Sequence, residues 1–310
     1  MPFTIKTDLE ADLETYAKNF FDSNPSCKFD SSKKLFPQLC NLLHKLINKN
    51  PRKVFFSKKF RVPDDLRAGL DALVFKLENG EDVNPYLNKP SVDPKQQDGM
   101  LNHFGIHHFH LGTNLKGHFM ERTGIIALVL IRNDIAFFID APLHGKDADP
   151  LVWSKQIYIQ IIHDEKPELI SMFKVNGTLM SDPLDDENLN ILRKKNVNAF
   201  IQVNDGTHYM GPGFGTLASG ESLITKLEYL KLMKVLEERF DSAKQLVLKN
   251  VTSSAKELVL RMVDFGGHTN ALTVFFDVIQ NGNKIAEISS EFIGNDQFHQ
   301  KYSDLNVPIA

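Results

Sequence analysis

Three histidines fall within one short run, "GIHHFHLG" from Gly105 to Gly112, and the imidazole is the side chain whose ordinary pKa lets it gain and lose a proton near neutrality. Six of the eleven histidines of the chain lie between positions 103 and 144: His103, His107, His108, His110, His118 and His144. Even scatter would place about one and a half there, so the clustering needs a cause, and ionisable groups gather where chemistry is done. In a β-strand successive side chains point to opposite faces, so His107, Phe109 and Leu111 share one face while Ile106, His108 and His110 share the other. His108 and His110 then stand side by side. His107 is expected in the core, hydrogen-bonded and structural, the usual fate of a histidine on an apolar face.

Two imidazoles on one strand face suit two chemistries. As a metal-free pair, one takes a proton from a nucleophile while the other delivers one to a leaving group. As metal ligands, an H-x-H pair supplies two nitrogens and needs a third ligand, such as His144, His118 or Asp140. No H-E-x-x-H motif and no nearby cysteine supports the metal reading, so no cofactor is expected. Arg122 and Arg132 favour the first chemistry, because a guanidinium presents planar donors to phosphate oxygens. Arg122 enters one apolar run and His144 lies just past the exit of the next, so an antiparallel sheet can bring both to the same end.

These residues need elements to hold them. "GIHHFHLG" reads as one strand, "RTGIIALVLI" (Arg122 to Ile131) as a second, "RND" as a tight turn and "IAFFIDA" (Ile135 to Ala141) as a third, the near-continuous apolar runs implying cover on both faces. Ahead of them the spacing predicts helices over about Asp8–Phe21, Lys34–Asn48 and Pro63–Glu78, the last stopped by Asn79 and Gly80. After them it predicts helices over about Pro150–His163, with Trp153 near its start, and "KPELISMF". A hairpin with Asn204, Asp205 and Gly206 at its turn follows, then the longest helix, about Glu221–Leu248, and finally three strands. The fold class expected is α+β: a helical N-terminal part, a central mostly antiparallel sheet with flanking helices, and a C-terminal helix with a β-hairpin region. Three consecutive regions are expected, 1–95, 96–175 and 176–310, with the proline-spaced connection "NPYLNKPSVDPKQQDG" as the first boundary.

Composition limits the function classes. A hydrophobic fraction of 42% and a charged fraction of 24% are those of a folded globular chain. Two cysteines, Cys27 and Cys40, are too few for a disulfide scaffold, and no apolar stretch is long enough to span a membrane, so a cytoplasmic protein without membrane partners is expected. The net charge of −3 conceals an asymmetry: from Ser31 to Val62 there are nine cations and no Asp or Glu. In "KVFFSKKFRV", Val54, Phe56, Phe60 and Val62 alternate with a face carrying Lys53, Lys59 and Arg61, a face that can follow a phosphate backbone or simply be solvated. The glycine-rich "GPGFGTLASGES" lacks the Lys-Ser/Thr of a P-loop, and reads as a loop with Ser219 or Ser222 capping the long helix.

The order of a histidine-bearing strand, an Arg-led apolar strand, a tight turn, an apolar strand and a histidine, "GIHHFHLG…ERTGIIALVLIRNDIAFFIDAPLHG", resembles the sheet of RelE-like toxin ribonucleases of the YoeB type. These are small microbial mRNA-cleaving enzymes of toxin–antitoxin systems. The resemblance covers about Gly105 to Gly145 of a chain some three times their size, and those sheets usually carry other cations in place of H-x-H. The fuller pattern "DGMLNHFGIHHFHLG…ERTG…LHG…W" is similar to uncharacterised bacterial proteins. The expectation is a metal-independent nuclease acting on RNA, of toxin or defence type, with His108 and His110 as acid and base, Arg122 on the phosphate, His144 supporting and Lys53, Lys59 and Arg61 holding the substrate. The alternatives are a non-catalytic module that binds a protein partner or a second copy of itself, and a zinc-dependent hydrolase using the H-x-H pair.

Overall fold

A computed structural model describes residues 3–177, 183–251, 255–266, 272–291 and the backbone of 297–299. In chain order the elements are β1 (Thr4–Lys6), α1 (Leu9–Ser23), α2 (Leu35–Lys45), β2 (Lys53–Phe56), α3 (Arg67–Asn79) and α4 (Gly99–Phe104). There follow β3 (Ile106–His110), β4 (Leu115–Lys116), β5 (Phe119–Met120), β6 (Ile126–Ile131), β7 (Ile135–Asp140), α5 (Ile157–Glu165), β8 (Lys174–Val175) and α6 (Asp186–Lys194). Last come β9 (Ile201–Gln202), β10 (His208–Tyr209), α7 (Leu223–Asn250), β11 (Glu257–Gly266), β12 (Thr273–Gln280), β13 (Asn283–Ser290) and β14 (Gln297–His299). The fold is α+β.

The chain forms two compact units, one of residues 1–40 with 227–310 and one of residues 41–226. The division does not follow the three consecutive regions expected from the sequence. In the first unit β1 pairs in parallel with β11, and β12, β13 and β14 continue the sheet antiparallel, so the two ends of the chain share one sheet. Pairing between positions so far apart leaves no local trace in a sequence. The buried Asp12 of α1 accepts the backbone N–H of Met262 in β11 at 2.8 Å.

The second unit holds the histidines. Its four-stranded sheet runs β2-β7-β6-β3, antiparallel except for the β2–β7 pair. As the apolar runs predict, it is covered on both faces. Ile106, Leu128, Phe137 and Ile139 pack with Ile159 and Ile162 of α5, while Phe109, Val129 and Phe138 pack with Leu70, Leu73 and Leu77 of α3. Gly80 ends α3 in the left-handed conformation at φ 66°, which glycine adopts without a Cβ penalty.

Several local expectations need correction. The basic strand ends at Phe56, because buried Ser57 turns the chain by accepting the N–H groups of Lys59 and Phe60 on its Oγ at 3.2 and 3.1 Å. The helix expected from Pro150 begins at Ile157; before it, Asp149 caps a turn by accepting from Leu151 N and pairs with Lys155 at 2.6 Å. "KPELISMF" forms two 3-10 turns, Pro167–Leu169 and Ser171–Phe173, instead of an α-helix. The stretch expected as an interdomain connection stays within one unit, as 3-10 turns at Asn84–Tyr86 and Lys89–Val92, drawn onto the end of α2 by Lys45. Lys45 is only 4% exposed, and its ammonium donates to the carbonyls of Pro90, Asp93 and Gln96. Burial lowers its pKa to about 8, against the pull of Asp93 and Asp98. Among the described residues no helix is long and apolar enough to cross a membrane.

Candidate active site

β3 places its histidines by the strand rule. His108 lies opposite Leu128 and His110 opposite Ile126, on the face that carries Ile106 and Leu130, and both rings are buried, at 6% and 1% exposure. His144 is brought beside them by an irregular continuation of β7. Leu143 bridges to Ile125, and the His144 backbone N–H donates to the Gly124 carbonyl at 2.6 Å. Arg122 stands two residues before that carbonyl, so Arg122 and His144 do meet at one end of the sheet, as antiparallel pairing allows. The ring of His144 lies 5.7 Å from that of His110 and 6.4 Å from that of His108, centre to centre. Trp153 packs edge-on against His108 at 5.2 Å and His144 at 5.3 Å.

His108 is held by Asn88. The Asn88 carboxamide oxygen accepts the backbone N–H of Ser91 at 3.0 Å and its hydroxyl at 2.8 Å, which turns the Asn88 amide nitrogen toward His108 Nε2 at 2.6 Å. An amide nitrogen only donates, so Nε2 accepts and the ring proton sits on Nδ1. Nδ1 faces Asp98 Oδ2 at 3.6 Å, while the other oxygen of Asp98 caps α4 by accepting from Leu101 N at 3.0 Å. The 3.6 Å separation from Asp98 is longer than a hydrogen bond, and Nδ1 is enclosed without a hydrogen-bond partner. The Nε2 of His108, expected from the sequence to act as acid or base, is therefore engaged by Asn88.

His110 differs. Its Nδ1 accepts the Thr123 N–H at 3.3 Å, so the neutral ring carries its proton on Nε2, which is enclosed without a partner. Burial first, then the neighbouring His108, Arg122 and His144, lower its pKa to about 4. His144 is half-buried, and its pKa is lowered by burial and by the proximity of His108 and Arg122. Among the described residues its ring nitrogens make no hydrogen bond, so it is the imidazole of the three free to exchange protons. His107, expected to be hydrogen-bonded, has both ring nitrogens enclosed without a partner, and burial pushes its pKa down to about 3.

A cavity of about 380 Å³ opens against His108, His144 and Trp153, with Lys45, Asn88 and Asp98 in its walls. The basic residues divide around it. Lys59 sits just past β2 at the histidine end of the sheet, 3.7 Å from Asp140, and Arg61 is exposed beside it, donating to the Phe60 carbonyl. Lys53 pairs with Ile135 at the opposite end and does not join the site. Asp140 is held by Lys59 and the Ala141 N–H, and His118 is exposed in the β4–β5 turn. Among the described residues no group of three or more His, Cys, Asp and Glu side chains is arranged to hold a metal ion. Gly211 and Gly213 of the glycine-rich loop lie against α4 carbonyls, where a Cβ would come within 2.1 Å of His103 O and 2.0 Å of Leu101 O. The N–H groups of Gly213 and Gly215 are taken by the carbonyls of His103 and Asn102. The loop therefore caps a helix, and Ser222 accepts from Thr225 N at the start of α7.

Asn88, Asp98, Lys45 and the contacts of Trp153 lie beyond the reach of sequence reasoning. Asp98 carries one signal, an acidic residue ahead of a short apolar run, which marks a helix start. Behind Trp153 stands Arg193 of α6, half-buried over the Phe104 ring at 3.8 Å and donating to the Trp153 carbonyl at 3.2 Å. Comparison with protein-family models, with curated proteins and with solved structures finds no match to this chain.

Proposed function

We propose that the chain is a metal-independent nuclease that cleaves RNA at the cavity bounded by His144, His108 and Trp153. One observation carries the reading: a half-buried imidazole with a lowered pKa, neutral at physiological pH, lines a cavity together with an indole, and Arg122 is close enough to contribute to that shift. In this reading His144 takes the proton of the ribose 2′-hydroxyl, and the oxygen attacks the phosphorus. The P–O5′ bond breaks and the imidazolium returns the proton to the leaving oxygen. Arg122 stabilises the charge that gathers on the phosphoryl oxygens, Trp153 offers a face on which a base stacks, and Lys59 and Arg61 attract the backbone. His108, its Nε2 engaged by Asn88, positions the wall of the site instead of acting as acid or base. Proton transfer thus moves from the H-x-H pair expected from the sequence to His144.

The test is incubation of purified protein with total RNA and with single-stranded DNA, with and without EDTA, beside His144→Ala. Expected is cleavage of RNA alone that survives EDTA and disappears in the variant. Equal cleavage by His144→Ala would remove the mechanism. No cleavage by the folded protein would favour the second reading, a non-catalytic binding module, which the fixed ring of His108 supports. Near-stoichiometric zinc in protein purified without a histidine tag would point instead to the hydrolase alternative.

A further inference from the structure

Asn88 has a cavity on each side. The second, about 310 Å³, lies between Leu87–Lys89 and the β4–β5 segment, and is lined by His110, Lys116, Phe119, Met120 and Arg122 among others. RNA cleavage at the first cavity uses none of these residues but Arg122. Three cations, Lys89, Lys116 and Arg122, meet one carboxylate, Glu121. Glu121 lies 3.6 Å from Lys116 and accepts from the Asn114 amide at 3.0 Å. Phe119 and Met120 are half-buried and supply an apolar wall. His110, 1% exposed, brings to this cavity a ring whose Nδ1 is taken by Thr123 and whose Nε2–H has no acceptor. A buried donor without an acceptor costs stability, and unlike the enclosed ring of His107 this one lines a cavity from which an acceptor can be supplied. An anion is that acceptor, and the surplus of cations selects for it.

We propose that this second cavity holds one nucleotide of the RNA strand flanking the cleaved bond, its phosphate against His110 Nε2–H, Lys89 and Lys116, and its base against Phe119 and Met120. The proposal rests on the RNA reading for the identity of the strand. Arg122 lines this second cavity and is close enough to lower the pKa of both His110 and His144. A neutral Nε2–H donor keeps its proton across the physiological range, so this contact needs no protonation event.

The experiment is fluorescence anisotropy of the full chain with a fluorescein-labelled 2′-O-methyl RNA hexamer, which lacks the attacking hydroxyl, in EDTA. Lys89→Glu/Lys116→Glu alters two exposed side chains and leaves folding intact, and Phe119→Ala tests the apolar wall. Expected is about a tenfold or larger loss of affinity in the double variant, the scale of charge-assisted phosphate contacts, and a smaller loss in Phe119→Ala. His110→Phe, which keeps the ring and removes the donor, is expected to lose affinity likewise, with circular dichroism confirming its fold. Affinity within about twofold of the parent in the double variant and Phe119→Ala would overturn the proposal even if RNA is cleaved. Loss of hexamer binding in the same variants of a protein that cleaves nothing would uphold the cavity assignment while the nuclease reading falls. Equal binding of adenosine 5′-monophosphate and hexamer would put a free nucleotide in the cavity and overturn the strand assignment.

Discussion

The two ends of the four-stranded sheet carry the same kinds of residue in opposite conditions. At the end where β6 turns into β7, the cations are engaged by the backbone. Arg52 is 4% exposed and donates to the carbonyls of Arg132, Asn48 and Asn50 and to the Asn48 side chain, while Arg132 donates to the carbonyls of Ile131 and Leu169. At the other end Arg122 is exposed and makes no hydrogen bond among the described residues, His110 Nε2 has no partner, and the His144 ring is open to a cavity. Residue type does not separate structural from functional groups here. The separation lies in whether a group the fold leaves unpartnered also borders a cavity: His107 has no partner and lines neither cavity, whereas His110 and His144 each line one.

The comparison is broken or sharpened by substitution at each end. The largest effect is expected at the open end: Arg122→Ala lowers the RNA cleavage rate by about a hundredfold or more, while its unfolding free energy in urea moves by less than about 0.5 kcal/mol. A stability loss in Arg122→Ala matching that of Arg52→Ala would erase the distinction. Second, stability falls as pH drops. His44, His103, His107 and His110 have folded pKa values lowered to about 4, 4, 3 and 4, chiefly by burial. Their unfolded value is 6.5, so between pH 6.5 and 4 the unfolded chain binds more protons than the folded one. Their contribution is fully present above pH 6.5 and is lost on acidification, each tenfold difference in proton affinity between the two states being worth about 1.4 kcal/mol. Urea titrations across that window measure it, and a flat profile would contradict the enclosure of these rings.

Third, Arg52→Ala is expected to cost about 3 kcal/mol in urea unfolding, since it strands several buried carbonyls, with cleavage per folded molecule unchanged. The smallest effect belongs to Asn88→Ala. It removes three side-chain hydrogen bonds and costs about 2 kcal/mol of stability, and nitrogen-15 shifts of the His108 ring should show the Nδ1–H tautomer no longer enforced. An unchanged tautomer would mean that Asp98 alone fixes the ring.

Much of the site's frame is legible in the sequence. The period-two pattern of "GIHHFHLG" puts His108 and His110 on one face and His107 on the other, and the runs "IIALVLI" and "IAFFID" announce strands covered on both sides. Both hold because side-chain direction in a strand is a local property of the backbone. The roles of the histidines are not legible. Asn88 reaches His108 across twenty residues, from a segment whose prolines and polar residues suggest only a connection. The burial that makes Lys45 a clamp on that segment and not part of a cationic face is decided by what packs over it.

By itself, then, the sequence determined the α+β class, the sheet's central strands and the faces of its histidines, and left the meeting of Arg122 with His144 only as something antiparallel pairing allows, since periodicity and turn chemistry act over a few residues. Tertiary structure alone decided which imidazole is free, which is locked and which is buried with a spare donor. It also decided that the chain's two ends share a sheet. Hydrogen-bond satisfaction and burial depend on atoms brought together from distant positions, and no local pattern encodes them.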